Sequence, residues 1–87
     1  MAYQIVITKK AAKELAALAK DRQRLIDKRI RSLADDPRPE GSKKLQGRDD
    51  LYRIRAGDYR IVYKVDDDEE AVTILRIRHR RDVYRDL

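Results

Sequence analysis

The sequence predicts an α+β fold in which two helices pack on one face of a mainly antiparallel sheet. Three patterns predict it: apolar residues recur at helical spacing over residues 9–33, alternate with polar residues over 51–65, and run almost unbroken over 71–77. Such elements must bury their apolar faces against one another. The predicted order is an N-terminal strand, two helices and a three-strand antiparallel meander.

Length and composition limit what the chain can be. With 87 residues it is predicted to form one domain, residues 1–87. Its formal net charge of +6 favours polyanionic partners such as RNA, DNA, a membrane surface or an acidic protein. No cysteine and one histidine argue against a metal site, so no metal or other cofactor is expected. No apolar run is long enough for a membrane span or secretory signal, which predicts a soluble, intracellular protein without membrane association.

The first third of the chain is predicted to form a strand and then a helix. Residues 3–7 alternate weakly and are rich in β-branched side chains, as strands are. Thr8 can cap the helix that follows, because its hydroxyl can accept a hydrogen bond from a first-turn backbone amide. The expected apolar stripe of this helix is Ala12, Leu15, Leu18 and Ala19.

A second helix, or the continuation of one bent helix, is predicted next. Asp21 is its candidate N-cap, and Pro37 and Pro39 mark the region in which helical structure has ended. The apolar residues that recur at i, i+4 and i+7 are Ile26, Ile30 and Leu33.

The stretch "LYRIRAGDYRIVYKV" at 51–65 predicts a hairpin that turns at 56–58. Alternation directs five residues toward the helices: Tyr52, Ile54, Tyr59, Ile61 and Tyr63. It places Arg53, Arg55 and Arg60 together on the open face, where guanidinium groups could bind a phosphate and stabilise charge at phosphorus. A merely solvated, charged face is the alternative, and these three residues leave both interpretations open.

The region after the hairpin contains a turn, a strand and a basic segment. The acidic run 66–70 lacks the spacing of a calcium loop and is interpreted as a solvated turn. Residues 71–77 are expected to form a strand covered on both faces. In "HRRDVY", His79 could transfer protons near neutral pH and Tyr84 could stack on a base. A local hydrogen bond for His79 and a core-closing role for Tyr84 are the competing interpretations.

Three motifs together resemble the RelE/ParE superfamily of toxins from bacterial or archaeal toxin–antitoxin modules. They are "KKLQG" at 43–47, "YRIRAGDYRIVYKV" at 52–65 and "ILRIRHRRDVY" at 74–84, and the resemblance covers nearly the whole chain. It implies a compact RelE-like α+β fold and a cognate antitoxin, RelB-like or other, that blocks the active surface. It also implies a toxin–antitoxin complex that binds operator DNA through the antitoxin.

Similarity to RelE implies a cytoplasmic, ribosome-dependent endoribonuclease that cleaves mRNA in the A site and inhibits translation. In that mechanism the 2′-hydroxyl of the substrate attacks the adjacent phosphorus without a metal, which leaves a 2′,3′-cyclic or 3′-phosphate end and a 5′-hydroxyl. The alternative is a ParE-like toxin that inhibits DNA gyrase by binding it and has no nuclease activity. A third possibility is a non-toxic RNA- or protein-binding relative.

The resemblance also assigns residues. It matches the basic pair of the family before the turn to Arg53 and Arg55, and the arginine after the turn to Arg60. A late arginine falls on Arg80, or less well on Arg78. From their charge, Lys43, Lys44 and Arg48 could extend the positive surface toward a second phosphate, or they could be loop charges only. The predicted RNA- or ribosome-binding residues are these three with Arg78 and Arg81.

One departure from the family pattern concerns proton transfer. The best-known RelE pattern has lysines where this chain has arginines, and an arginine is a poor base at neutral pH. Other RelE-like nucleases use a histidine near the C-terminus, so the resemblance makes His79 a candidate general acid or shared base, with Arg80 assisting and Tyr84 orienting the nucleotide. The predicted catalytic set is Arg53, Arg55, Arg60, His79, Arg80 and Tyr84.

Overall fold

A computed structural model describes residues 2–45 and 50–79. Its elements are β1 (Gln4–Ile7), α1 (Lys9–Ala16), α2 (Lys20–Ser32), β2 (Lys43–Lys44), β3 (Leu51–Ala56), β4 (Tyr59–Asp66) and β5 (Ala71–His79). The sheet has the order β1-β5-β4-β3-β2, with β1 parallel to β5 and the other neighbours antiparallel. The predicted α+β fold is confirmed, and the two-residue strand β2 is an addition to it.

The two helices begin differently. Thr8 caps α1 as predicted, since its hydroxyl oxygen accepts from the amide of Ala11 at 3.2 Å. The same hydroxyl donates to the carbonyl of Ile74 at 2.9 Å, which ties the start of α1 to β5. The prediction that Asp21 caps α2 is wrong: the N-cap is Ala19, without a side-chain hydrogen bond. Asp21 lies in the first turn, where its charge still favours the helix N-terminus.

The predicted apolar stripe of α1 is partly wrong. Ala11 is fully buried, whereas Ala12 and Ala19 are exposed. Leu15 and Leu18 pack against the core as expected. The alternative of one bent helix is also excluded, because the chain leaves helical geometry between α1 and α2. No helix in the described part of the chain is long and apolar enough to cross a membrane.

The core lies between the helices and one face of the sheet. Its helical side includes the predicted trio Ile26, Ile30 and Leu33. The strand residues predicted to point inward all belong to this core or pack against it, namely Tyr52, Ile54, Tyr59, Ile61 and Tyr63. Tyr63 is fully buried, and its hydroxyl donates to the carbonyl of Pro37 at 2.8 Å. Burial raises the pKa of Tyr63 to about 12.

Strand β5 contains an irregularity that matters for the opposite face. Ile74 pairs with Tyr63 and Arg76 pairs with Val62, so Leu75 is passed over in the register. Before this bulge alternate residues from Val72 point inward, and after it the inward positions shift by one. The expectation that this strand is covered on both faces is wrong for the residues between its buried positions, which are half-buried.

Candidate functional site

Basic side chains face each other across the open side of the sheet. Arg55 on β3 lies opposite Arg60 on β4, and Arg60 lies opposite Arg78 on β5. Two residues before Arg55, on the same face of β3, Arg53 lies opposite Lys43 on β2. The Cβ atoms of directly opposed residues are about 5 Å apart, so these like charges repel. We call these five residues the basic face.

The hairpin turn sets this register. Gly57 has a φ of +62°, in the left-handed region that favours glycine, and forms a two-residue turn with Asp58. Nε of Arg55 donates to the carbonyl of Gly57 at 3.1 Å. The carbonyl of Arg55 in turn accepts from Nε of Arg29 at 3.2 Å. Helix α2 therefore holds the end of the hairpin at which Arg55 meets Arg60.

A cleft of about 240 Å³ opens on the basic face. Its lining is Gly41, Lys43, Arg53, Ile54, Arg55 and Arg60. Within the described part of the chain, Nη1 of Arg60 is buried without a hydrogen-bond partner. An unsatisfied buried donor costs about 1–3 kcal/mol, and more when it is charged. Guanidinium groups bind phosphate oxygens well, and three of them line this cleft together with a lysine.

One carboxylate reaches the edge of the basic face. Glu14 on α1 accepts from the backbone amide of Ile77 at 2.8 Å. It also accepts from Nε and Nη2 of Arg76 at 3.2 and 3.1 Å, and lies 3.7 Å from Nη1 of Arg78. Neither Glu14 nor Arg76 was predicted from the sequence, because helical periodicity marks Glu14 only as polar and its partner Arg76 is 62 residues away.

The structure places His79 apart from the basic face. It is the last residue of β5 and pairs with Tyr59, whose side chain packs against the core. The two rings are nearly perpendicular, at 85°, with centroids 5.6 Å apart. Paired residues on antiparallel strands project to the same side, so His79 lies on the inward side and Arg60 on the open side.

The remaining predicted residues divide into two groups. Lys44 pairs with the inward-facing Tyr52, so it lies on the other side of β2 from Lys43. The other four lie outside the described residues, and they are Arg48, Arg80, Arg81 and Tyr84. Among residues 2–45 and 50–79, no group of three histidine, aspartate or glutamate side chains could hold a metal ion.

Comparisons with known proteins agree with this architecture. The family model described as "ParE toxin of type II toxin-antitoxin system, parDE" matches residues 5–84. A putative RelE-like toxin protein of Escherichia coli is 35% identical over 97% of this chain and 92% of its own length. The mRNA interferase toxin RelE of Escherichia coli is 33% identical over the same shares.

Solved structures give the same result. The archaeal RelE–RelB complex from Pyrococcus horikoshii contains a chain with a TM-score of 0.82 and 34% identity, with 92% of this chain and 97% of that chain covered. A chain of the intact Escherichia coli RelBE toxin–antitoxin complex has a TM-score of 0.78 and 30% identity, with 90% and 96% covered.

Fold, family model and relatives define the class of the protein as a toxin of the type II toxin–antitoxin kind. More particularly, the chain belongs to the RelE/ParE superfamily. The resemblance carried by the three sequence motifs is thereby confirmed.

Proposed function

We propose that this chain is the toxin of a type II toxin–antitoxin system and cleaves mRNA in the ribosomal A site, which inhibits translation. The observation that carries the proposal is the cleft of the basic face, in which Arg53, Arg55 and Arg60 come together. Relatives named mRNA interferase RelE support the reaction class.

The proposed reaction is attack of a ribose 2′-hydroxyl on the adjacent phosphorus. The bond from the 2′-oxygen to phosphorus forms and the bond from phosphorus to the 5′-oxygen breaks. The 2′-hydroxyl loses a proton and the leaving 5′-oxygen gains one, which yields a 2′,3′-cyclic phosphate and a 5′-hydroxyl. Arg53, Arg55 and Arg60 stabilise the negative charge that grows on the phosphoryl oxygens. These guanidinium groups supply charge stabilisation of the kind that a metal ion gives in other nucleases, so the reaction is proposed to be metal-independent.

Proton transfer is assigned from the family resemblance alone. Arginine is a poor base at neutral pH, so the arginines of the cleft bind and stabilise charge. His79 and Arg80 are proposed to assist proton transfer or stabilise the leaving group, and Tyr84 to orient the nucleotide. The inward position of His79 beside Tyr59 favours the arginines over His79 as the groups that touch the scissile phosphate.

The wider positive surface is proposed to hold the RNA and the ribosome. The residues assigned to it are Lys43, Lys44, Arg48, Arg78 and Arg81. Each phosphate that such a residue neutralises releases counterions, so binding weakens as salt rises. Positioning of the mRNA by the ribosome compensates for weak acid–base groups, because a correctly oriented substrate needs less chemical assistance.

The proposed partner is a cognate antitoxin. Structural neighbours with 34%, 26% and 30% identity are components of RelE–RelB complexes, which supports a RelB-like protein. We propose that it blocks the basic face and that the complex binds operator DNA through the antitoxin. Because the proposed target is the ribosome, the proposed site of action is the cytoplasm.

The ParE-like alternative, inhibition of DNA gyrase by protein binding, is not favoured. The matching family model is described by the name ParE, but the relatives that match over 97% of this chain are named RelE-like toxin and mRNA interferase RelE. A cleft lined by three arginines and a lysine also suits a phosphate better than a protein surface without anions.

The first experiment is primer extension on a defined mRNA held in ribosomes with a known A-site codon. The same mRNA without ribosomes is the control. We expect breaks within the A-site codon, with 5′-hydroxyl ends, only when ribosomes and protein are both present. A folded, growth-inhibiting protein that leaves the mRNA intact would contradict the proposal and direct the search to DNA gyrase.

A further inference from the structure

The contacts of Glu14 connect α1 to the outer end of the basic face. The side chain of Glu14 is 20% exposed, and those of Arg76 and Arg78 are 18% and 24% exposed. By comparison, the Asp27–Arg31 pair on α2 has side chains that are 43% and 79% exposed. Charge interactions are screened less when the groups are partly buried, so the Glu14 cluster is the stronger constraint on its arginines.

The arginine row needs such a constraint. Arg55, Arg60 and Arg78 follow one another across three neighbouring strands, and like charges directly opposite one another are destabilising. Without an opposing charge, long side chains in this arrangement would diverge into solvent. Glu14 supplies a negative charge at the β5 end of the row, 3.7 Å from Arg78.

The carboxylate is arranged to hold neighbours in place. Oε1 of Glu14 accepts from the amide of Ile77 at 2.8 Å, and Oε2 accepts from Nη2 of Arg76 at 3.1 Å. Nε of Arg76 lies within hydrogen-bond distance of both oxygens, at 3.3 and 3.2 Å. Both oxygens are therefore occupied by donors, and this argues against proton abstraction by Glu14 itself.

We propose that Glu14 is a positioning residue for RNA cleavage. It fixes Arg76 against the edge of β5 and orients Arg78, so that Arg78, Arg60 and Arg55 converge on one phosphate. The inference rests on the proposed function, because it assigns Glu14 a role in that reaction. The competing interpretation is purely structural, with Glu14 only covering the unpaired amide of Ile77 at the edge of β5.

Replacement of Glu14 by glutamine separates the two interpretations. Glu14→Gln keeps an oxygen that can accept from Ile77 and removes the charge that holds the arginines. We expect a folded protein whose single-turnover cleavage rate at saturating ribosomes falls about 10-fold, as expected for a misoriented site. The ribosome concentration at half-saturation should change less than about three-fold, because Arg78 and its charge are retained and only its orientation toward the reacting phosphate is lost.

Asp27→Asn is the matched control. It removes one negative charge and one ion pair from the surface of α2, and it should leave cleavage unchanged. Glu14→Asp retains the charge on a shorter side chain and should recover part of the lost rate. Equal cleavage by Glu14→Gln and the native protein would overturn the inference.

A double-mutant cycle tests whether Glu14 acts through Arg78. In an Arg78→Ala background, Glu14→Gln should lower the rate less than about two-fold further, because coupled residues are not additive. A full 10-fold loss in that background would overturn the inference while leaving the proposed function intact. If the native protein itself produces no ribosome-dependent breaks, both the proposed function and this inference fail.

Discussion

Two arginines in this molecule have opposite surroundings. Arg38 donates to the hydroxyl of Tyr52 at 3.0 Å and to Asp67 at 2.7 Å, and its guanidinium lies 5.3 Å from the centroid of the Tyr52 ring. Arg60 has a buried Nη1 without a partner among the described residues. The contrast distinguishes an arginine whose hydrogen bonds hold the fold together from one that lines the cleft with an unsatisfied buried donor.

The surroundings of Arg38 form a connected network that we call the tyrosine–arginine corner, made of Tyr3, Arg38, Tyr52, Tyr63 and Asp67. Tyr3 donates to Asp67 at 2.7 Å, and the rings of Tyr52 and Tyr63 stack with centroids 5.9 Å apart. The hydrogen bond from Arg38, followed by that from Tyr3, lowers the pKa of Asp67. The corner joins the N-terminal segment, the loop after α2 and the turn after β4.

Arg60→Gln is the substitution from which we expect the largest effect. We expect cleavage on programmed ribosomes to fall about 100-fold, as happens when one donor to a developing oxyanion is removed. The Tm should stay the same or rise, because the variant removes a buried charged donor that the native fold leaves unsatisfied. Cleavage rate and thermal melting are the two measurements.

Arg31→Gln is the control for charge in that experiment. Arg31 lies on α2 with its side chain 79% exposed, away from the basic face, and its loss should leave cleavage unchanged. Similar cleavage losses in both variants would show that net charge matters and that the cleft does not.

The next largest effect should be a loss of stability at alkaline pH that originates in the tyrosine–arginine corner. The pKa of Tyr63 is raised from 10.0 to about 12 in the folded protein, mainly by burial. Stability from the protonated hydroxyl is therefore fully present below pH 10 and is lost as pH rises toward 12. Urea unfolding at a series of pH values should show this decline in the native protein and a weaker one in Tyr63→Phe. Parallel curves for both proteins would contradict it.

The smallest effect is expected for Arg38→Gln. Its ion pair with Asp67 and its contact with Tyr52 are partly exposed, so the Tm should fall by only about 4 °C. Cleavage should not change. The pKa of Asp67 is lowered in the folded protein, so its ionised carboxylate contributes to the free energy of unfolding above its ordinary pKa. That contribution is lost as the pH falls through the lowered value. The Tm of the variant should therefore depend less on pH in the acid range. A cleavage loss equal to that of Arg60→Gln would contradict the difference drawn between Arg38 and Arg60.

The hairpin could be predicted from sequence because its information is local. A period of two over 51–65 and glycine at the turn determine which residues point inward and which arginines share a face. The opposition of Arg55 and Arg60 follows from the two-residue turn at Gly57 and Asp58. The helices were harder to place, because alanines on several sides of α1 give no clear phase. Ala11 was therefore missed and Ala12 wrongly included.

The other end of the site depends on features that no local pattern reveals. The bulge at Leu75 shifts the alternation of β5 by one residue. An unbroken alternation from Ile74 would have turned Arg78 inward and His79 toward the basic face. The bulge reverses both, so Arg78 faces Arg60 and His79 faces Tyr59. The anchor of Arg78 is equally invisible in the sequence, because Glu14 lies on another element far away along the chain.

The arginine row combines local contacts with long-range ones. The β3–β4 hairpin closes a short loop and can bring Arg55 to Arg60 early, whereas Glu14 must find Arg76 across 62 residues. The contact between Glu14 and Arg78 therefore forms only when the N-terminal segment docks on the last described strand. The pairing of the three strands that carry the arginine row is local, whereas the contact that orients Arg78 depends on the opposite end of the chain.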